Sequence, residues 1–345
     1  MKAVVFYEHG DGDVLKYEDV PDPKLGPCEV LVRVRASGCN RNDIWARRGM
    51  PGMKVIFPHI SGSDLAGEVA ELGPGATGVQ VGDKVVLHPG LSCRKCEHCT
   101  NGQEYFCRSF RIYGFETGPL QGAHAEYARV PDVNLIPMPS RLTFEEAASV
   151  PLVFLTAWHM LVTRAALTAG DDVLVLGAGS GVGSAAVQIA KLFGARVIAT
   201  AGDERKLRKA KELGADELIN HSSQDVVGEV RRLTGKRGVN LVFEHVGEAT
   251  WERSISSLAY GGRLVTCGAT TGYEAMTDLR HVFWKQLSIL GSHQGSKAET
   301  IRVLNLVQAG RLHPVVDRIM PLRETAEAQR LMERREQFGK IVLTP

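Results

Sequence analysis

Four cysteines, Cys93, Cys96, Cys99 and Cys107, stand in a C-x2-C-x2-C-x7-C run within LSCRKCEHCTNGQEYFC, and no other feature constrains the chain as much. Four thiolates gathered in one loop can close a tetrahedron around Zn²⁺, which favours sulfur and in structural sites leaves no position open for a substrate. The spacing predicts a loop that holds one metal ion per chain and performs no chemistry. Disulfides or scattered free thiols are the alternatives, and four regularly spaced cysteines in a polar loop suit neither. His98 lies inside the run, but four thiolates already fill the shell.

A chain of 345 residues predicts two domains, because single cores stop growing at roughly 250 to 300 residues. The net charge of +2, from 41 basic and 39 acidic residues, gives no reason to expect nucleic acid or an anionic membrane as partner. A small-molecule substrate is expected instead. The opening MKAVVFYEHG meets acidic residues too early for a signal peptide. The longest apolar stretch, residues 150–162, is too short to span a membrane and carries a proline and His159, so it predicts a buried helix. Seven cysteines, an odd number, with Cys28, Cys39 and Cys267 outside the run, suit a reducing cytoplasm.

Two rhythms divide the chain. Up to about residue 150, short alternating runs such as EVLVRVRA, LAGEVAELG and GDKVVLHPG are punctuated by Gly and Pro, which predicts a mostly β domain with long loops. From residue 171 strands alternate with amphipathic helices: DVLVL, VGSAAVQIAKLFGA, RVIATA, ERKLRKAKELGA, LVFEHVG, GRLVTCG and LSILGS. That order predicts parallel βαβ units in a doubly wound sheet, an α/β fold. Gly194 and Gly214 close the first two helices as C-caps do. After residue 291 the expected elements are a helix at 298–309, a strand at 315–320, a helix at 324–336 and a last strand, GKIVLTP, a tail that completes the first domain.

The junction VLVLGAGSGVGSAAVQIA places Gly177, Gly179, Gly181 and Gly183 between a strand and a helix. Glycines there let backbone approach a pyrophosphate, whose charge rests on helix N–H groups and the positive end of the dipole. The spacing carries one residue more than strict G-x-G-x-x-G, with Ser180, Gly181, Val182 and Gly183 in the phosphate-contacting position. The next strand ends RVIATAGDERK. An NAD site usually carries an acidic residue at that tip for the ribose 2′-OH. Here Ala201 and Gly202 leave space, and Arg205 and Lys206 follow, which favours the 2′-phosphate of NADP(H) over NAD(H). Against this, Asp203 is close enough to repel a phosphate, and it can instead cap the helix while Arg205 and Lys206 coat its solvent face.

With these pieces in order, the chain resembles the zinc-type medium-chain alcohol dehydrogenase and quinone oxidoreductase superfamily over essentially its whole length. The residues that carry the resemblance are the cysteine loop, SGSDLAGEVAELG, VGDKVV, GAHAEYARVP, the glycine turn and GGRLVTCG. The resemblance implies a GroES-like catalytic domain at residues 1–153 and 293–345, with its structural-zinc lobe near 93–107, and a Rossmann nicotinamide domain at 154–292. It also implies a homodimer or homotetramer, and it adds Thr156 and Gly268 to the residues beside the cofactor.

Family alcohol dehydrogenases hold a second, catalytic zinc through a Cys in a G-x-C-H-x-D type segment, a His in a G-H-E segment and a third ligand entering the helix before the cofactor domain. At the matching positions this chain reads GCNRNDI, GSDLAG and PLVFLTAW: Asn40 for the Cys, Ser63 and Asp64 for the His and Glu, and Leu152 at the third site. The pattern is similar to zinc-free quinone oxidoreductases, except that the structural cysteines are kept. Hydride addition to a quinone or an enone needs only hydrogen-bond donors for the developing oxyanion, and Asn40 and Ser63 are the expected donors, with Asp64 orienting them. Structural alternatives stand beside each: Asn40 as a helix cap, Ser63 in a turn, Asp64 paired with Arg41. An alcohol dehydrogenase with an improvised metal site from Cys39, Asp43, His59 or Asp64, and a non-enzymatic nicotinamide-binding protein, are the competing functions. Trp45, Tyr113, Tyr273, Trp284 and His293 are candidates for the substrate pocket, for core or for interface.

Overall fold

The computed structural model describes residues 1–115 and 120–345. The chain divides into two compact units, Met1–Leu152 with Gly295–Pro345, and Val153–Gln294.

The first unit is built on a long strand, Glu29–Gly38. Its sequence alternates, so Val30, Val32 and Val34 point to one face and are buried, while Arg33 faces solvent. Burying such a side chain is worth about 1.5–3 kcal/mol, and here Leu65, Val69, Val85, Leu87 and Leu135 meet the three valines in one core. The strand pairs antiparallel with Asp64–Leu72 on one side and with Lys340–Thr344 on the other, where Val342 stands opposite Gly38. Lys340–Thr344 in turn runs parallel to Val316–Pro321. Val316–Pro321 and Lys340–Thr344 thus extend the sheet of the first unit at one end, beside Glu29–Gly38. Lys84–Leu87, Leu135–Pro137 and Tyr127–Pro131 also belong to the large sheet, and Lys2–Phe6, Lys16–Asp19 and His59–Ile60 form a smaller one.

The second unit carries six parallel strands in the order Glu217–Asn220, Arg196–Ala201, Asp172–Val175, Val239–Glu244, Leu258–Thr266, Ser288–Gly291. The inner strands DVLV and RVIATA are buried along almost their whole length, as in a parallel sheet covered on both faces. Gly194 and Gly214 adopt φ +77° and +104° just past the helices Gly181–Leu192 and Glu204–Glu212, the left-handed turn that ends a helix. The apolar stretch 150–162 forms the helix Pro151–Trp158, which continues as a π-helix over His159–Arg164. Among the described residues no helix is long and apolar enough to cross a membrane.

Candidate active site and metal centre

The cysteine loop folds through short local hydrogen bonds and two single turns of helix, Glu97–Thr100 and Glu104–Phe106. Arg94, between the first two cysteines, takes a left-handed φ of +62° and gives its guanidinium to Asn134 Oδ1 at 3.0 Å. Asn134 in turn donates to the carbonyls of His88 and Gly90, tying the loop to the sheet. The sulfurs of Cys93, Cys96, Cys99 and Cys107 lie within 4.8 Å of one another, with 3.9 Å from Cys93 to Cys99 and 3.5 Å from Cys96 to Cys99. Sulfurs at the corners of a tetrahedron about 2.3 Å from zinc stand roughly 3.8 Å apart, so the donor set fits Zn²⁺. The backbone N–H groups of Lys95 and Cys96 pull the Cys93 thiol down to about 6, while burial and the neighbouring sulfurs push Cys96 up to about 11, so without a metal one proton is held within the group. His98 is not a member of the group.

The cofactor turn belongs to the second unit. Ser180 caps the helix Gly181–Leu192 by accepting from the Gly183 N–H at 2.9 Å. A Cβ on Gly183 would stand 2.3 Å from the Gly177 carbonyl oxygen, so strand and helix approach too closely for any side chain. Gly177, Ser180, Gly181 and Val182 keep partial exposure. Thr156 Oγ1, Ser292 Oγ and Gln294 Oε1 are buried without a partner, as groups that meet a polar ligand are. Gly268, past the strand Leu258–Thr266, is half-buried, and its carbonyl accepts from Thr266 Oγ1 at 3.2 Å. The close approach at Gly183 and the Ser180 cap fit the pyrophosphate of a dinucleotide, which would supply the hydride.

At the tip of the second strand, Gly202 lies against His221 and Ser222, whose side chains stand 3.2 Å from where its Cβ would be. Asp203 caps the helix Glu204–Glu212 through the Lys206 N–H, and the Lys206 ammonium lies 3.8 Å from the same carboxylate. Lys206 is therefore partly neutralised by Asp203. The carboxylate remains beside the site expected for a 2′-phosphate.

In the first unit, Asn40, Asp64 and a residue the sequence reading passed over, Lys340, form one buried cluster. The Asn40 amide donates to the Gly38 carbonyl at 3.1 Å and to Asp64 Oδ2 at 2.8 Å, while its oxygen accepts from Lys340 Nζ at 2.5 Å. The same ammonium reaches Asp64 Oδ2 at 3.0 Å and the Cys39 carbonyl at 2.6 Å. Asp64 Oδ1 accepts from the Leu152 N–H at 2.8 Å. Both Asn40 amide hydrogens are thus engaged within the protein, which leaves none for a substrate oxyanion, and Asp64 pairs with Lys340 rather than with Arg41. Ser63 is fully buried and accepts from Asn42 Nδ2 at 2.8 Å, so Asn42, not Asp64, orients it. A lysine opening the otherwise apolar run KIVLT was the signal for Lys340.

The improvised metal site does not assemble. Among the described residues the cysteine loop is the one group of three or more His, Cys, Asp or Glu placed to hold a metal. Cys39 is buried and its thiol pushed well up, while burial holds His59 down to about 4. Asp43 instead accepts from the Asn40 N–H at 2.7 Å and faces His124 Nε2 at 3.3 Å. The aromatic candidates separate as well. Tyr113 is core, donating to the Arg129 carbonyl; Tyr273 and Trp284 are exposed; Trp45 is half-buried against Phe115.

Residues 26–140 match the alcohol dehydrogenase GroES-like domain and residues 181–309 the zinc-binding dehydrogenase family. The chain is 34% identical to a crotonyl-CoA reductase of Streptomyces collinus, covering 94% of this chain and 80% of that protein. It is 29% identical to a human quinone oxidoreductase, over 99% and 97% of the two chains. A solved structure described as an NAD-dependent alcohol dehydrogenase shares 49% identity and a TM-score of 0.96, each chain covered in full. The chain belongs to the zinc-type medium-chain dehydrogenase/reductase superfamily. It is an oxidoreductase.

Proposed function

We propose that the protein transfers hydride from NADPH to a quinone or an α,β-unsaturated carbonyl compound without a catalytic metal. The observation that carries this reading is the replacement of the three catalytic-zinc positions by Asn40, Ser63 and Leu152, with the Asn40 and Asp64 side chains committed to a buried ammonium. Conjugation already polarises such a substrate. Hydride adds to the β-carbon, the π electrons move to the carbonyl oxygen, and a hydrogen-bond donor holds the enolate until a proton returns at the α-carbon. Ser63 is that donor: with Asn42 donating to its oxygen, the hydroxyl proton is left to give. Because Ser63 is fully buried, a substrate reaches it only when the surrounding wall parts. The names of the crotonyl-CoA and quinone relatives fall on the same substrate chemistry.

The similarity to an NAD-dependent alcohol dehydrogenase favours a second reading, oxidation of alcohols with NAD. A rate panel of enones, enoyl thioesters and quinones against primary and secondary alcohols, with each cofactor and with added zinc, decides between them. Conjugated carbonyl reduction with NADPH that survives a chelator is the expected result. Zinc-stimulated alcohol oxidation with no carbonyl reduction reverses the choice.

Self-association belongs to the same proposal. The strand Ser288–Gly291 ends the six-stranded sheet, and Leu279, Phe283 and Trp284 on the preceding helix are exposed. Open edges and apolar patches of this kind are covered by a partner, here a second copy, and sedimentation of Phe283→Glu with Trp284→Glu should show monomers.

A further inference from the structure

The parallel sheet of the second unit reverses its winding between the strands Asp172–Val175 and Val239–Glu244. In open α/β sheets ligands bind outside the carboxyl ends of the strands at that reversal. The residue that leaves the second of these strands is His245, which the sequence reading did not single out. Its Nε2 lies 2.9 Å from the Leu176 carbonyl oxygen and 3.4 Å from Ser180 Oγ. A carbonyl only accepts, so Nε2 carries the proton and Nδ1 is an acceptor. The ring also lies against Gly177, where a Cβ would stand 3.3 Å from it and where φ is +55°. Ser180 in turn takes the Gly183 N–H. One imidazole therefore touches the end of the first strand, the glycine that leaves it and the cap of the helix that follows. Burial lowers its pKa against the opposing charge of Glu244, which keeps the ring neutral and this tautomer in place.

We propose that His245 is a positioning residue for the dinucleotide's phosphates: it braces the 177–183 turn in the shape whose helix N-terminus receives them. The inference rests on the cofactor half of the reading above and is independent of the substrate. Its test is binding, not turnover. NADPH and NADH are titrated by fluorescence into the parent, His245→Phe, which fills the space without a donor, and His245→Asn, which restores one, with melting temperatures measured in parallel. His245→Phe should weaken both cofactors about tenfold and by the same factor, because the pyrophosphate is common to both, the loss of one hydrogen bond's worth of affinity. His245→Asn should recover most of that loss at an unchanged melting temperature. Where His245→Phe does not fold, His245→Ala gives the same comparison. Unchanged affinity overturns the proposal, as does an equal loss in His245→Asn. A loss confined to NADPH also overturns it, by moving His245 to the 2′-phosphate. A parent that binds neither cofactor removes the cofactor reading itself, before any substitution is compared.

Discussion

Two sites in the first unit show what a charge needs in order to be held by protein. In the cysteine loop four sulfurs lie close enough together to hold one metal ion. In the Asn40–Asp64–Lys340 cluster the cation is already part of the chain, an ammonium with three oxygen acceptors. The first site would take its cation from outside and sits in a loop with two single turns of helix. The second is self-contained, central in the sheet and almost wholly buried. The difference teaches that the chain can answer a buried carboxylate with a cation of its own. Asn40 and Asp64 would be costly to bury unpaired, and Lys340 pairs them.

The comparison breaks first at the metal. Replacing Cys96 with Ser should lower zinc content and melting temperature together and give the largest stability loss, since structural zinc binds small peptides with roughly 10 to 16 kcal/mol of apparent free energy; full zinc and full stability in that variant would remove the site. Next comes the internal cation. Lys340→Met leaves Asp64 as an uncompensated buried carboxylate, a loss of about 3–5 kcal/mol in urea unfolding, and adding Asp64→Asn should return part of it. A cost near zero for Lys340→Met would mean that the cluster is hydrated rather than dry.

Catalysis separates the cysteine loop from Ser63, the neighbour of Asp64 in sequence. Ser63→Ala should lower kcat by about 10²–10³ while the affinity for NADPH stays constant, as expected of a donor that acts on transition-state charge, and Cys96→Ser, where it remains folded, should spare kcat. A smaller effect comes from acid. Burial holds His88 down to about 3 and His59 down to about 4, both below the value near 6.5 of an unfolded chain. The unfolded chain therefore takes up these protons first, so the stability contributed is complete above pH 6.5 and falls as pH drops toward 4, by about 1.4 kcal/mol per unit for each histidine. Thermal unfolding from pH 7.5 to 5 should show this slope, reduced in His88→Gln. The smallest effect belongs to Lys206→Ala, which should weaken NADPH a few-fold and NADH not at all. Its pairing with Asp203 limits the gain, and equal affinity of the parent for both cofactors would remove the preference.

Much of this arrangement was legible in sequence because it rests on local periodicity and spacing. Val30, Val32 and Val34 announce a half-buried strand, and Gly183 and the cysteine run announce sites whose parts are close in the chain. What stayed hidden depends on contacts across long separations. Asn40 reads as a free donor until Lys340, three hundred residues later, is brought beside it. Tyr113 reads as a pocket residue until its hydroxyl meets Arg129. His245 is one imidazole after an apolar strand, and only the strand order places it against Ser180. Asp203 was readable in both of its roles, as cap and as repelling charge, and the structure places it as the cap.

The return of the tail to the first sheet has a consequence for synthesis. Asp64 leaves the ribosome 276 residues before Lys340, and the strand Glu29–Gly38 waits longer still for Lys340–Thr344. Val153–Gln294 emerges whole in the interval, with every strand of its sheet supplied from within. Domains fold as units during translation, so the unit that begins later is ready to finish earlier, and the nascent first unit carries an open sheet edge and an unanswered carboxylate until Lys340–Thr344 has emerged.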